Sequence, residues 1–305
     1  MTLCVCVPAR NESARLPILL DALAMQDWPD VIPVSIDINN SSDNSRAVVE
    51  AARQRHAGRL NIGITEHIFA PNLAHAGSAR RLAMDKGLEL LPALDNTALV
   101  STDADSRPPT DWLRNIAAAF SRGADMVGGR IEIDGAEPLP PQVQRLRMAW
   151  DRYWVSVRTI EDMIDPLPWD PAPRHGDHTG ASLAIRAALY LACGGVPAIA
   201  SGEDRALVMA ALAQGGRLVH PVTVSTRVSP RLDGRADGGM AAGMRTLFAS
   251  ARKNISPMAP AFTHWHERAH WRRQLRMQPD GAALIALQEP LLPPMPHDMV
   301  LELQP

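Results

Sequence analysis

The sequence predicts an α/β fold, in which a mainly parallel sheet carries helices on both of its faces. Short β-rich runs alternate with helix-like stretches through the first half of the chain, the pattern that gives parallel strands. Hydrophobic residues make up 46% of the 305 residues, which is ample for a proper core. The predicted strands are 2–8, 31–38, 60–65 and 97–102, and the predicted helices between them are 11–25, 43–57 and 76–90.

The first strand and the second helix have clear local signals. Cys4 and Cys6 alternate with apolar residues, as in a short buried strand, and we expect both to be core residues. The segment SSDNS at 41–45 supplies N-cap residues for the second helix, which Ala-rich periodicity continues. In an open α/β sheet, ligands bind at the carboxyl ends of the strands. The loops predicted at those ends are 8–12, 39–43, 69–75 and 103–109.

The pattern changes after these elements. We predict a strand over 125–133, a long helix over 141–163 and a Pro-rich loop over 165–177, which suits a cover over a site better than a core element. The long helix and this loop are where an acceptor site is expected. The next predicted elements are a strand-helix unit, a helix and one or two strands, over 181–192, 203–214 and 216–228.

The last part of the chain is predicted to form an extension outside the α/β domain. From about residue 246 the pattern is helical, and the Pro-rich tail over 289–305 is expected to be poorly fixed. We therefore predict one α/β domain over residues 1–245 and a helical extension over residues 246–305.

Composition excludes several classes of function. The formal net charge is −2, with 31 basic and 33 acidic residues mixed along the chain, so no basic face is expected to bind nucleic acid. Three cysteines are an odd number in a chain long enough to fold without disulfides, which favours a reducing cytoplasm. We find neither a secretory signal nor an apolar run of about 18 residues, so no transmembrane segment is expected.

The strongest chemical motif is Asp103-Ala104-Asp105, where an apolar strand ends. Because side chains alternate along a strand, both carboxylates leave it on the same side and bring like charges together. Hard oxygen ligands of this kind suit Mg²⁺ or Mn²⁺, which completes its shell with phosphate oxygens and water. An acidic turn that caps the helix near Thr110 is the plain structural alternative.

Two further motifs follow the first two strands. VPARNE at 7–12 places Pro8 where a ladder hydrogen bond can be dispensed with, and Asn11 and Glu12 then open the next helix. The second strand runs into polar residues that can hydrogen-bond a base or a ribose, namely Asn39, Ser41 and Asp43. An ordinary helix start explains the first motif equally well. The first motif indicates a binding site only because the second motif accompanies it.

Two later segments could complete a transfer site. Gly202-Glu203-Asp204 is an acidic pair at a predicted helix start, which reads either as a cap or as a general base for an acceptor hydroxyl. Arg227, Arg231 and Arg235 recur every four residues in a Gly- and Pro-rich stretch, a loop suited to closing over a diphosphate, although such runs are more often solvated surface. His220 could complete a metal shell, although a lone histidine is more often structural.

Taken together and in order, these segments resemble the family 2 glycosyltransferases of the GT-A superfamily. The likeness covers roughly residues 3–240. The motifs that carry it are VPARNE at 7–12, NNSSDNS at 39–45, AGSARRLAMDKG at 76–87, DAD at 103–105, and the block TGASLAIRAALYLACGG…SGED through 179–204. The resemblance implies a GT-A, Rossmann-like sheet, a nucleotide-sugar donor that is expected to be UDP-linked, and inverting transfer of a sugar to an acceptor hydroxyl.

The resemblance also assigns roles to residues. The base and ribose would lie against Pro8, Ala9, Glu12 and Asn39, while Asp103 would face the ribose and the metal. Asp105 would bind the metal, and Asp204 would be the catalytic base with Glu203 beside it. The arginines of 227–235 would resemble the diphosphate-gripping loop of the family.

Two departures from the family pattern affect these roles. Asn39 stands where the family often has Asp, and an amide can donate as well as accept, so the preference for uracil is open. Ser182 stands where a G-A-N motif would put Asn, next to His178 and Thr179, so the acceptor site is expected to be unusual. The acceptor itself, whether a small molecule, a glycan or a lipid-linked compound, is unknown from the sequence.

Two rival functions remain at the sequence level. Residues 266–270 read His-Glu-Arg-Ala-His, a literal H-E-x-x-H that would place two imidazoles on one helix face for zinc, with Glu267 as base. Glu289 could be offered as a third ligand, but it lies in the Pro-rich tail, and Arg268, Arg272 and Arg273 edge the helix. The other rival is a noncatalytic nucleotide-sugar-binding protein on the same fold, because fold does not fix function. The intact carboxylates at Asp103, Asp105 and Asp204 favour an enzyme.

Overall fold

The computed structural model describes residues 1–234 and 239–303, and all structural statements below refer to these residues. The strands are β1 (Thr2–Ala9), β2 (Ile32–Asn39), β3 (Leu60–His67), β4 (Thr97–Ser101), β5 (Ser106–Arg107), β6 (Met126–Gly128), β7 (Arg130–Ile133), β8 (Leu183–Arg186), β9 (Leu218–Val219), β10 (Ser225–Val228), β11 (Met258–Ala259) and β12 (Met299–Val300). The α-helices are α1 (Leu16–Ala24), α2 (Ser45–Arg55), α3 (Ala76–Glu89), α4 (Trp112–Ser121), α5 (Pro141–Ile164), α6 (Ala187–Ala192), α7 (Glu203–Ala213), α8 (Met240–Lys253), α9 (Phe262–Arg276) and α10 (Gly281–Gln288). A short 3-10 helix follows over Glu289–Leu291.

The main sheet of the described chain has seven strands in the order β3-β2-β1-β4-β8-β6-β9. Strands β3, β2, β1 and β4 are parallel, whereas β8 runs antiparallel between β4 and β6. A second sheet has the order β5-β10-β7, and β11 pairs with β12. The carboxyl ends of β1, β2 and β4 therefore meet at one edge of the main sheet, where ligands bind in open α/β folds.

The main sheet is buried on both faces, as the sequence predicts. Leu3, Val5 and Val7 of β1 pack in one apolar cluster with α1 and α4, while Cys4 and Cys6 pack in a second cluster with α3, α6 and α7. Both cysteines are free thiols with no exposed surface, so their predicted place in the core is confirmed. This burial fixes the register of β1 and hence the position of the loop that follows it.

Two predicted elements in the first half need correction. The strand predicted over 125–133 is two strands in different sheets, because the chain leaves the main sheet at Gly129, whose N–H donates to the Ser182 carbonyl at 2.8 Å. The helix predicted over 11–25 begins only at Leu16, because residues 11–15 form a turn in which the Arg15 N–H donates to the Glu12 carbonyl at 3.0 Å. Asn11 has φ of +54° in this turn, which leaves Glu12 at the sheet edge.

The prediction of a poorly fixed tail is wrong for residues 289–303. The Glu289 carboxylate binds Arg268 and Arg272 of α9, β12 pairs with β11, and the side chain of Leu301 is 5% exposed. The apolar cluster of Tyr153 and Phe262 receives Leu301, so tertiary packing orders a segment that sequence alone reads as loose. The predicted division at residue 245 falls inside α8 and stays a prediction.

Candidate active site

A cavity of about 1230 Å³ opens at the carboxyl edge of the main sheet. It gathers residues from β1, β2, the loop after β4, the start of α7 and the loop after β10. The predicted site residues that line it are Pro8, Ala9, Glu12, Asn39, Asp103, Asp105, Glu203, Asp204 and Arg231. The structure thus brings into one place residues that are up to about 220 positions apart, as parallel strand ends require.

Arg80 of α3 connects two of the acidic motifs. Its side chain is 6% exposed; Nε donates to Glu203 Oε1 at 3.0 Å and Nη2 donates to Asp103 Oδ1 at 2.8 Å. Nη1 donates to Ser101 Oγ at 2.6 Å and to the Gly180 carbonyl at 3.0 Å. A Cβ at position 180 would collide with the guanidinium, so any residue other than glycine there would require Arg80 to shift. One buried planar cation therefore fixes the relative positions of the strand-end and helix-start carboxylates.

Arg231 covers the other half of the acidic cluster. Its Nη1 and Nη2 donate to the two oxygens of Glu12 at 2.8 and 2.6 Å, and its Nε lies 2.8 Å from Asp105 Oδ2. Burial raises the pKa of Asp105 to about 6; Arg231 opposes this rise, while the charges of Asp103 and Glu12 add to it. The three carboxylates therefore repel one another and attract a cation, a role that Arg231 fills in this structure.

Asp204 and Glu203 have different surroundings although they are adjacent. Glu203 is 6% exposed and its carboxylate binds Arg80. Asp204 is only partly buried, and its Oδ2 accepts the Gly180 N–H at 2.8 Å while Oδ1 accepts the Arg205 N–H at 2.7 Å. Gly202 precedes the pair with φ of +76°, as the predicted Gly turn requires. The carboxylate of Asp204 is thus the one that is held in place and open to the cavity.

Asn39 lies at the end of β2 and is 3% exposed. Its Nδ2 donates to the Ala9 carbonyl at 3.1 Å, so the amide nitrogen is committed to the end of β1. The carbonyl oxygen Oδ1 remains to accept a hydrogen bond. In this orientation Asn39 offers the same kind of group as the Asp that the family often has at this position.

Asp43 does not line the cavity. Its Oδ2 accepts the Ser13 N–H at 3.0 Å, and its Oδ1 accepts the N–H and the hydroxyl of Ser45 at 3.0 and 2.6 Å. Burial opposes ionisation, but these hydrogen bonds outweigh it and lower the pKa of Asp43 to about 2. The contacts that the structure gives it are those of a carboxylate at a helix start.

Arg227 and His220 also lie outside the cavity lining. Arg227 is in β10, opposite Arg107, and faces the charge of Asp134. His220 is 7% exposed; its Nδ1 lies 2.8 Å from Asp170 Oδ2, and its Nε2 lies 3.3 Å from Nδ1 of His178. Both ring nitrogens of His220 are therefore engaged with other side chains, which is the usual role of a buried histidine. Arg235, the third arginine of the predicted loop, lies outside the described residues.

The carboxylates at the sheet edge fit a divalent metal ion. Asp103 and Asp105 each pair with an arginine through one oxygen, and burial, followed by the charges of Asp103 and Glu12, raises the pKa of Asp105. Within residues 1–234 and 239–303, no group of three or more His, Cys, Asp or Glu side chains has the arrangement of a metal site. Magnesium-type sites commonly use one or two carboxylates and complete the shell with substrate phosphates, which agrees with this pair.

The helix that carries His266 and His270 does not support the predicted zinc site. Both imidazoles and Glu267 are exposed on α9. The expected third ligand, Glu289, accepts hydrogen bonds from Arg272 Nε at 3.1 and 3.0 Å and pairs with Arg268, so its oxygens are committed. The assignment of Glu289 as a zinc ligand is therefore wrong, because two arginines of the same helix hold it.

Sequence reasoning missed the role of Arg80. The sequence does contain a signal for a buried arginine. One face of α3 is made of small and apolar residues except for Arg80, and this face includes Gly77, Met84 and Gly87. An arginine on the buried face of a helix requires partners, because an unpaired buried charge is strongly destabilising. Only the fold shows that these partners are Glu203 and Asp103.

The fold is that of the GT-A glycosyltransferases, as comparison with solved structures shows. The chain is similar to residues 1–349 of S. aureus TarS in complex with UDP-GlcNAc, with a TM-score of 0.55 and 16% identity over 91% of this chain and 74% of that one. It is also similar to the mannosyltransferase PcManGT from Pyrobaculum calidifontis in complex with GDP-Man and Mn²⁺, with a TM-score of 0.53 and 16% identity over 95% and 79% of the two chains.

The family follows from the sequence itself. The model of Glycosyl transferase family 2 matches residues 4–169, more than half of the chain, so the protein belongs to that family. A search of curated proteins found no match. None of the helices in the described part of the chain has the length and apolar character that crossing a bilayer requires.

Proposed function

We infer that the protein transfers a sugar from a nucleotide-diphosphate sugar to an acceptor hydroxyl, by an inverting displacement that a divalent metal ion assists. The observation that carries this inference is one cavity lined by the strand-end carboxylates Asp103 and Asp105 together with the open carboxylate of Asp204. The family supports glycosyl transfer; one similar solved structure holds UDP-GlcNAc, and the other holds GDP-Man and Mn²⁺.

The donor would lie along the ends of β1, β2 and β4. Pro8 and Ala9 form one wall for the base, and Asn39 Oδ1 supplies a hydrogen-bond acceptor there. Uracil, thymine and guanine carry a ring N–H that can donate to such an oxygen, whereas cytosine does not. We therefore expect a UDP-linked donor to bind better than a CDP-linked one.

The metal ion would be Mg²⁺ or Mn²⁺, held by Asp105 and Asp103. When bound there, such an ion supplies positive charge that stabilises the departing diphosphate. Arg231 then has to leave Asp105 and Glu12, and the diphosphate offers its guanidinium a new anionic partner. Arg231, and not Arg227, is thus the arginine of this loop that we assign to the diphosphate.

Asp204 would act as the general base. The acceptor oxygen forms a bond to the sugar anomeric carbon, its proton passes to Asp204, and the nucleoside diphosphate leaves with the electron pair of the broken bond. Hydrogen bonds from the Gly180 and Arg205 N–H groups hold the carboxylate of Asp204 in place. Glu203 is better described as a positioning residue, because its carboxylate binds Arg80 and through it Asp103.

The test is thermal denaturation with UDP, GDP, dTDP and CDP, each with and without Mn²⁺. A ligand at 100 times its Kd adds about 2.7 kcal/mol to the free energy of unfolding, which raises the midpoint by several degrees. We expect one nucleotide to stabilise the protein only when Mn²⁺ is present, with CDP the weakest of the four. Stabilisation by zinc alone, with no effect of any nucleotide, would instead support the peptidase alternative. Metal-dependent nucleotide binding without any sugar transfer would support the noncatalytic one.

A further inference from the structure

Helix α5 has two faces with different surroundings. One face packs against α9, where Tyr153 and Val157 join the apolar cluster of Phe262. The other face lines the cavity with the apolar side chains Trp150, Trp154 and Val155 and with the polar side chains Arg147, Asp151, Arg158, Thr159 and Asp162. The Trp154 ring lies 6.5 Å from Trp150 and 5.6 Å from Trp265 of α9 between ring centroids, yet Trp154 stays 41% exposed, and Val155 is 68% exposed.

Helix α8 adds a second apolar wall to the same cavity. Met240, Met244 and Leu247 recur at helical spacing and line it. Helices α5 and α8 also contact each other, and the part of the cavity that both of them border is called the channel below. A stripe of large apolar side chains that faces a cavity instead of a core is typical of a ligand site.

The channel is continuous with the site of sugar transfer. The same cavity of about 1230 Å³ includes Asp204 and Asp105 at the sheet edge and Trp154 on α5. Pockets for drug-sized ligands are typically about 300–1,000 Å³, so there is space here beyond that of one such ligand. The part bordered by the strand-end carboxylates is assigned to the donor, which leaves the part bordered by α5 and α8 for the second substrate.

Arg158 is one of the polar side chains of α5 that lie among the apolar ones of the channel. Its guanidinium lies 5.7 Å from the centre of the Trp154 ring, and Nη1 lies 2.6 Å from Glu161 Oε2. The Nε atom is buried and has no hydrogen-bond partner in the described part of the chain. A buried N–H without a partner is costly, so a ligand oxygen at this position would be stabilised.

We propose that the acceptor is an amphiphilic alcohol whose apolar chain or ring system lies in the channel between α5 and α8. Its hydroxyl reaches Asp204, and a polar oxygen along its length meets Arg158. This proposal rests on the proposed function, because the hydroxyl is the group that receives the sugar and gives its proton to Asp204. Each methylene that enters the channel should tighten binding roughly fourfold.

The test uses 10-bromodecan-1-ol and 6-bromohexan-1-ol as probes of the intact protein. Bromine quenches tryptophan fluorescence at short range, and Trp150 and Trp154 lie in the channel wall. We expect saturable quenching by the longer alcohol, and at least tenfold weaker binding of the shorter one, which lacks four methylenes. Val155→Asp should weaken binding of the longer alcohol at least fivefold, since a charge then lies in the channel. Met277→Asp is the matched control, at a side chain that is 78% exposed and outside the cavity lining.

Several outcomes would overturn the proposal. Three of them are the absence of saturable quenching, equal binding of the two alcohols, and equal binding of the longer alcohol by the wild type and Val155→Asp. The fourth is a wild-type dimer that Val155→Asp dissociates, since a second copy of the chain would then occupy the channel. The shift of the melting temperature by UDP with Mn²⁺ is measured on the same wild-type sample. Alcohol binding without any nucleotide effect would overturn the proposed function and the acceptor assignment with it, but not the apolar channel. Nucleotide binding without alcohol binding would overturn the amphiphilic acceptor alone.

Discussion

Arg231 forms a two-point ion pair with Glu12, with N–O distances of 2.8 and 2.6 Å, and the same guanidinium contacts Asp105 at 2.8 Å. The loop after β10 therefore supplies the positive charge that balances the acidic edge of the sheet. A metal ion bound at Asp105 and a guanidinium bound there compete for one carboxylate. Binding of the donor and movement of this arginine are for that reason linked.

Arg231→Ala should tighten the binding of Mn²⁺ to the nucleotide-free protein, because the competing cation is removed. A hydrogen bond to a charged group contributes about 1.5–3 kcal/mol, so a gain of about tenfold or more is expected in a calorimetric titration. The same variant should bind UDP more weakly in the presence of Mn²⁺, since the diphosphate loses a partner. Arg46→Ala is the control, because that side chain is 50% exposed and pairs only at the surface. Unchanged Mn²⁺ affinity in Arg231→Ala would show that the ion pair does not compete with the metal.

Asp204→Asn should leave donor binding intact and lower turnover about 100-fold or more, since a general base contributes about that much. Asn can still accept the Gly180 N–H, so the local structure should be kept. Asp105→Ala should instead weaken metal-dependent donor binding. Release of nucleoside diphosphate measures turnover, and the melting temperature with UDP and Mn²⁺ measures binding. Unchanged turnover in both variants would rule out the mechanism.

Arg80→Ala should lower the free energy of unfolding by about 3–5 kcal/mol, because it leaves the buried Glu203 without its counterion. Arg80→Lys should recover only part of this loss, since an ammonium cannot reproduce the planar set of four hydrogen bonds. Urea denaturation measures both variants. Arg53→Ala is the control, at a surface ion pair with Glu50 that is expected to contribute at most about 1 kcal/mol. A loss no larger than that of the control would show that Glu203 and Asp103 do not depend on Arg80.

Asp37→Asn should stabilise the protein at pH 8 and have little effect at pH 4. Asp37 has no exposed surface, and burial raises its pKa to about 7 from 3.8, although Asn39 opposes the rise. Between these two values the folded state keeps a proton that the unfolded state has lost, so stability falls as pH rises and levels off above about pH 7. Each unit of pKa difference corresponds to about 1.4 kcal/mol, so the total gain at pH 8 is at most a few kcal/mol.

The measurement for Asp37 is the difference in unfolding free energy between variant and wild type at each pH. His175 and His178 are partly buried and next to His220, and desolvation followed by the charge of His220 lowers the pKa of each to about 4. Because their pKa values are lowered, these histidines make stability rise with pH, opposite to the effect of Asp37 in the same pH range. Variant and wild type share this contribution, so it cancels in the difference between their unfolding free energies. Asp30→Asn, at an exposed position, should give no pH-dependent difference. A flat difference for Asp37→Asn would contradict the raised pKa.

The sequence predicts the sheet and its carboxyl edge well because both depend on local pattern. Buried strands that alternate with helices give parallel neighbours, and the residues that follow such strands meet at one edge. This places Asp103 beside the end of β1, and it would do so for any loop sequence. The start of α1 was misplaced because the turn over residues 11–15 depends on a positive φ at Asn11, which the pattern does not reveal.

The sequence alone determined the α/β class, the family, and the residues that follow β1, β2 and β4. Tertiary structure alone decided which of those residues share a cavity. It showed that Asp204 is open to the cavity whereas Glu203 binds Arg80, that His220 lies outside the cavity lining, and that Arg231 lines the cavity whereas Arg227 does not. The physical reason is the range of the interactions. Periodicity and strand ends are set by neighbours in the chain, whereas the ion pairs of Arg80 and the channel between α5 and α8 join segments that only the folded chain brings together.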